Sequence, residues 1–189
     1  MPVGDMSAAH DGMISIIIVK GEFMEFNKMV SNPMLVGAIE LLKAEDSPEH
    51  RNLFVEELQK ASLLAPAVVE PAPVENAEGK LTLAPESKIQ FPMLATPDKK
   101  RFSMGFTDMT EYRKWQEKNK ELPFFALRFE DYARILFSRD AQGNVNPASG
   151  VVINPFGSNI IVPKEMIAGI MAARAEAAKR QADSELSRK

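Results

Sequence analysis

Between Asn32 and Lys60 apolar residues recur three and four positions apart, the spacing of one helix face. Asn32-Pro33 reads as an N-cap followed by proline in the first turn, and Met34, Leu35, Ala38, Leu41 and Leu42 fall on one side of the helix it opens. Ser47-Pro48 repeats the device for a second helix, with Phe54, Leu58 and Ala61 as its apolar stripe and Glu56, Glu57 and Lys60 in water. The period then changes to two. Strands are expected over Ala65 to Glu70, Lys88 to Ala95 and Arg101 to Thr107, the last with Phe102, Met104 and Phe106 on one side. The second and third of these pair as an antiparallel hairpin around Pro97 to Lys100, and Pro92 places an edge or a bulge in the first arm.

The second half alternates helix and strand. Asp108-Met109-Thr110-Glu111 has the form of a capping box and begins a helix through Lys120 that carries Tyr112 and Trp115. Leu122 to Arg128 reads as a strand. A short helix with Phe129, Tyr132, Ile135 and Leu136 inward follows, its Glu130 and Asp131 placed at the positive N-terminal end. After a polar loop, Ala141 to Ala148, two β-branched runs flank Asn154-Pro155-Phe156-Gly157, a turn-forming tetrapeptide. Pro163 starts a last helix with Met166, Ile167, Ile170 and Met171 facing the core.

Together these elements imply an α/β chain of the α+β kind: a mixed, mostly antiparallel sheet of about five or six strands with helices packed against it. One domain is expected over residues 24–174. The Pro-, Ala- and Glu-rich stretch 71–86 reads as a surface loop with a loose hairpin, and 175–189 as a solvent-exposed helical tail. Residues 1–23 form an N-terminal extension with two readings. Ile14 to Val19 is an extra edge strand, or translation begins at Met24, since codons for Lys20-Gly21-Glu22 would supply a purine-rich ribosome-binding sequence just before it.

Composition narrows the chemistry. The 189 residues are 45% hydrophobic and 26% charged, with a net charge of -3, so no nucleic-acid partner is expected. Cysteine is absent, which excludes disulfides, thiolate nucleophiles and Cys-based metal sites. The two histidines, His10 and His50, have no neighbouring carboxylate pattern, and no metal or cofactor is expected. The Ile14 run is far shorter than the roughly 20 residues of a membrane span, and it lacks a basic leader, so a cytoplasmic protein is expected. Asp108, Glu111, Glu130 and Asp131 sit where helix starts want acids, and none is assigned as general acid or base.

What remains is a binding surface, composed of Asn154, Pro155, Phe156 and Gly157, the strand end Phe106-Thr107, and Arg128. The leading reading is a non-catalytic binding or regulatory domain with a protein partner. The rival is a small-molecule sensor or carboxylate enzyme with a pocket joining Arg128, Asn154 and Glu111. Within the loop, Phe156 is expected to plug the core. Asn154, extended because it precedes proline, is expected to brace it through a bond to backbone near Phe156 or Gly157.

Three segments in this order resemble the N-terminal domain of the enhanced serine sensitivity protein (SseB) family. They are Phe106-Thr107-Asp108 with the helix reaching Trp115, the strand Phe124 to Arg128 with its following helix to Phe137, and G-V-V-I-N-P-F-G from Gly150 to Gly157. The segment N-L-F-V-E-E-L-Q-K-A-S-L-L-A-P is similar in layout to the family's first helix and strand, and the likeness runs from residue 34 to residue 171. It implies a small α/β domain tied to serine tolerance, hence to amino-acid metabolism or its regulation. It carries over no catalytic residue.

Overall fold

The computed structural model describes residues 14–17, 25–77, 81–84, 87–117, 119, 122–139 and 143–186. The proposed start at Met24, the tip of the 71–86 loop and the last residues from Ser187 lie outside them. In chain order the elements are β1 (Ile14–Ile17), β2 (Glu25–Phe26), α1 (Pro33–Ala44), α2 (Pro48–Lys60), β3 (Ser62–Pro66), β4 (Val68–Glu70), β5 (Val74–Glu75) and β6 (Leu81–Thr82). Then follow β7 (Lys88–Phe91), β8 (Met93–Ala95), β9 (Arg101–Gly105), α3 (Met109–Gln116), β10 (Phe124–Arg128), α4 (Phe129–Leu136), β11 (Ala148–Ile153), β12 (Ile160–Pro163) and α5 (Lys164–Leu186).

The α+β class holds, but the strands divide among short sheets: β1-β7-β4, β2-β10-β3, β12-β11-β9-β8, and the ribbon β5-β6. Every pairing is antiparallel except β9 with β11. The division has a local cause at Pro92. The expected strand Lys88 to Ala95 changes partner there: β7 pairs with β1 and β4, while β8 pairs with β9 as the expected hairpin. Proline has no N–H to continue a ladder, so the run can switch sheets at that residue. A bridge between Leu64 and Phe106 links β3 to the end of β9 and joins two of the sheets.

Strand alternation sorts side chains into two apolar layers. Leu63 and Ala65 of β3, Phe125 and Leu127 of β10, and Val151 and Ile153 of β11 enter a large cluster with α1, α2, α4 and α5. Leu64, Val152 and the expected triplet Phe102, Met104 and Phe106 face the other way, against Tyr112 and Trp115 of α3. Tyr112 and Trp115 pack into this layer: both are buried, and Phe106 meets Tyr112 edge-on at 5.4 Å. Where β9 crosses β3 the layers draw close. Gly105 leaves room for Leu63 and for Tyr132, whose hydroxyl donates to the Met104 carbonyl at 2.8 Å.

Two details of the helices differ from expectation. The inward face of α1 is Leu35, Ala38 and Ile39, with Leu42 packed beside them, whereas Met34 and Leu41 are exposed. Packing against α2 selects that face, and Met34 and Leu41 fall on its flank. α3 ends at Gln116 rather than Lys120. The last helix behaves as its composition dictates: Ile167 is buried, Met166, Ile170 and Met171 pack against the core, and residues 172–184 are exposed. Arg174, the first cation beyond the core, reaches back to Glu130 of α4 at 2.5 Å. Among the described residues no helix is long and apolar enough to cross a membrane.

Candidate functional site

β9 and β11 run parallel and end side by side, Gly105 opposite Ile153. Two strand ends and the start of α3 then meet, and each leaves backbone groups without ladder partners. Asn154 partners two of them. Its N–H donates to the Gly105 carbonyl, its Oδ1 accepts from the Thr107 N–H, and its Nδ2 donates to Thr107 Oγ1, each at 2.9 Å. The side-chain amide thus extends the β9–β11 pairing by one residue beyond the last strand bond. The Thr107 hydroxyl in turn donates to Asp108 Oδ2 at 2.9 Å. The other Asp108 oxygen accepts from the N–H groups of Thr110 and Glu111 and caps α3.

Asn32 closes the constellation from the far side. It stands at the N-cap position of α1, yet its side chain makes no cap bond. Its Nδ2 instead donates to the Thr107 and Ser62 carbonyls at 2.7 and 2.8 Å, tying β3 to the end of β9. Sequence reading missed this role because Asn before Pro already had a local explanation. The bond partners lie 30 and 75 residues away.

The loop itself overturns three expectations. Asn154 is not extended: its φ is +50°, in the left-handed region that asparagine tolerates better than most residues. The three bonds to Gly105 and Thr107 hold it there against the usual pre-proline preference. Its side chain braces Thr107, not Phe156 or Gly157. Nor is Phe156 a core plug. Asn154 and Pro155 are buried, while Phe156 is half-buried at the edge of the smaller apolar layer. The β-turn is present, with Gly157 N–H donating to the Asn154 carbonyl at 2.9 Å, and Asn159 N–H donates to the same oxygen.

Gly157 rests against the start of α3, where a Cβ would run into the Glu111 carboxylate. Glu111 Oε1 pairs with Lys114 at 2.5 Å. Its Oε2, with Ser158 Oγ and Asn159 Oδ1 of the loop, is buried without a hydrogen-bond partner among the described residues. The structure therefore brings together Phe106, Thr107, Glu111 and Asn154 to Gly157. Arg128 turns elsewhere: it precedes α4, its N–H donates to Asp131 Oδ2 at 3.0 Å, and its guanidinium faces the same carboxylate at 3.5 Å. Of the three residues expected to share a pocket, Asn154 bonds Thr107, Glu111 meets the same loop at Gly157, and Arg128 faces Asp131. Among the described residues no three His, Cys, Asp or Glu side chains gather to hold a metal.

A different concavity, of about 430 Å³, borders another face of α3 and is lined by Tyr112, Arg113, Gln116 and Phe124 among others. Arg113 and Gln116 had no distinguishing sequence pattern, because they read as the solvated side of an amphipathic helix.

A family model described as the SseB protein N-terminal domain matches residues 35–169. No curated protein and no solved structure matches the chain.

Proposed function

The chain belongs to the SseB N-terminal-domain family, and on that premise we propose that it is a non-catalytic binding or regulatory domain that presents the Phe156 loop to a protein partner in the cytoplasm. One observation carries the reading: Asn154 is fastened to Thr107 at two points in the buried interior, so the half-exposed Phe156 ring is held out on a stiffened turn. An aromatic fixed before contact loses little conformational freedom on binding, which favours its use as an anchor. The side chains of Asp108 and Asn154 beside the loop cap α3 and extend the sheet, roles that organise a surface. We infer from the family's link to serine tolerance that the partner belongs to amino-acid metabolism or its control.

The test pairs stability with capture. Wild type and Phe156→Ala, both tagged, are compared for specific partners retained from native cell extract and for melting temperature. Loss of the same partner from a variant that still melts cooperatively supports the proposal. Unchanged retention of every wild-type partner contradicts it.

A further inference from the structure

The 430 Å³ cavity lies on the face of α3 formed by Met109, Tyr112, Arg113 and Gln116, away from the face on which Glu111 meets the Asn154 loop. Its volume is in the range of small-molecule sites. Its floor is aromatic: the buried Tyr112 ring lies 5.3 Å from that of Phe124. Met109 and Leu122 add apolar wall, and Pro73 brings the 71–86 insert to the rim. Tyr112 backs this wall from the core: its ring is 1% exposed and its hydroxyl donates to the Leu122 carbonyl at 2.7 Å, so the half-buried Phe124 presents the aromatic surface. Against this surface stands a cation, Arg113, whose side chain has neither an ion pair nor a hydrogen bond among the described residues. Gln116, one turn on, supplies a neutral amide.

We propose that this cavity binds a small monocarboxylate with an apolar or aromatic body, its carboxylate on the Arg113 guanidinium and its body against Phe124, Met109 and Leu122. The planar guanidinium fork matches a carboxylate in two parallel bonds. A phosphate dianion would call for a second cation or a row of backbone N–H groups. Among the described residues the lining supplies one cation, and two of its backbone positions, Pro73 and Pro123, have no N–H. The site does not depend on the Phe156 reading and stands or falls separately.

Phenylacetate is the probe, titrated into the full chain by calorimetry and followed by saturation-transfer NMR. Phenylacetamide, which has the same ring without the charge, and inorganic phosphate serve as comparisons. Phenylacetate is expected to bind, with phenylacetamide at least tenfold weaker and phosphate failing to displace it. Arg113→Gln should weaken phenylacetate at least tenfold, and Arg113→Lys should fall between. Arg113 is exposed, so an unchanged melting curve for Arg113→Gln is expected. Gln116→Trp, which fills the opening without touching the charge, should abolish binding, and Phe156→Ala should leave it unchanged. The proposal is overturned if phenylacetate does not bind, binds Arg113→Gln as tightly as wild type, or is displaced by phosphate.

Discussion

The loop from Asn154 to Asn159 and the insert from Pro71 to Glu86 draw on the same turn-forming residues and meet opposite fates. The first is drawn inward until Asn154 is only 4% exposed. The second holds a two-residue ribbon, β5 with β6, in which Val74 is 68% exposed and Thr82 Oγ1 donates to the Val74 carbonyl. Asn, Pro and Gly mark where a chain reverses in both. Burial depends on what the reversal meets. The Asn154 loop lands where two parallel strands and a helix expose N–H groups that need partners, and its amide supplies them. Among its described residues the insert pairs β5 with β6, and Pro73 at the cavity rim and Leu83 against the core touch the rest.

Substitution at the two loops should separate them by several-fold. Asn154→Ala removes two buried side-chain bonds, strands the Thr107 N–H and leaves at positive φ a residue that tolerates it less well than asparagine, for a loss of about 3 kcal/mol. Urea unfolding measures it, and a loss under about 1 kcal/mol would erase the contrast. Asn154→Gly sharpens it: glycine accepts the left-handed backbone, so roughly 1 kcal/mol should return, and equal losses for the two variants would remove backbone strain from the account. Phe156→Ala, at the half-buried edge, should cost about 1–2 kcal/mol. A loss of about 3–5 kcal/mol in thermal or urea melts would restore the core-plug role that the structure withdrew.

An intermediate case tests whether contact alone sets the order. Arg174 ties α5 to Glu130 at the surface, with the two side chains 44% and 31% exposed. Burial pushes the Glu130 carboxyl up, but the helix-start backbone and Arg174 together hold it below the ordinary value of 4.5. A folded value below the unfolded one contributes stability above about pH 4.5, which fades as pH falls through the folded value. Arg174→Ala should therefore lower the melting temperature slightly at pH 7, by the equivalent of ~0.5 kcal/mol, and the gap to wild type should close below pH 4 and in high salt. A gap that widens in acid contradicts the assignment. Smallest of all, Val74→Ser in the ribbon should change stability by no more than ~0.5 kcal/mol, read as coincident melting curves.

Much of this architecture was legible in the order of apolar positions. Phe102, Met104 and Phe106 repeat every second residue and face one layer, and the Asp108 box caps α3 through the N–H groups its spacing offers. The exposed run after Arg174 follows from alanine, lysine and glutamate carrying too little apolar surface to bury. Such features depend on neighbours a few residues apart, and the chain states those directly.

Other outcomes belong to the tertiary structure, because their partners are distant in sequence. Nothing near Asn154 announces Thr107, 47 residues before it; the parallel pairing of β9 with β11 brings them together and overrides the local preference set by Pro155. The face of α1 that turns inward was chosen by α2, and Asn32 by its nearness to Ser62 and Thr107. Arg113 looked like any solvated helix residue until Phe124, Leu122 and the insert enclosed the space beside it. Periodicity determines which residues share a face, whereas the identity of what meets that face depends on how the elements pack.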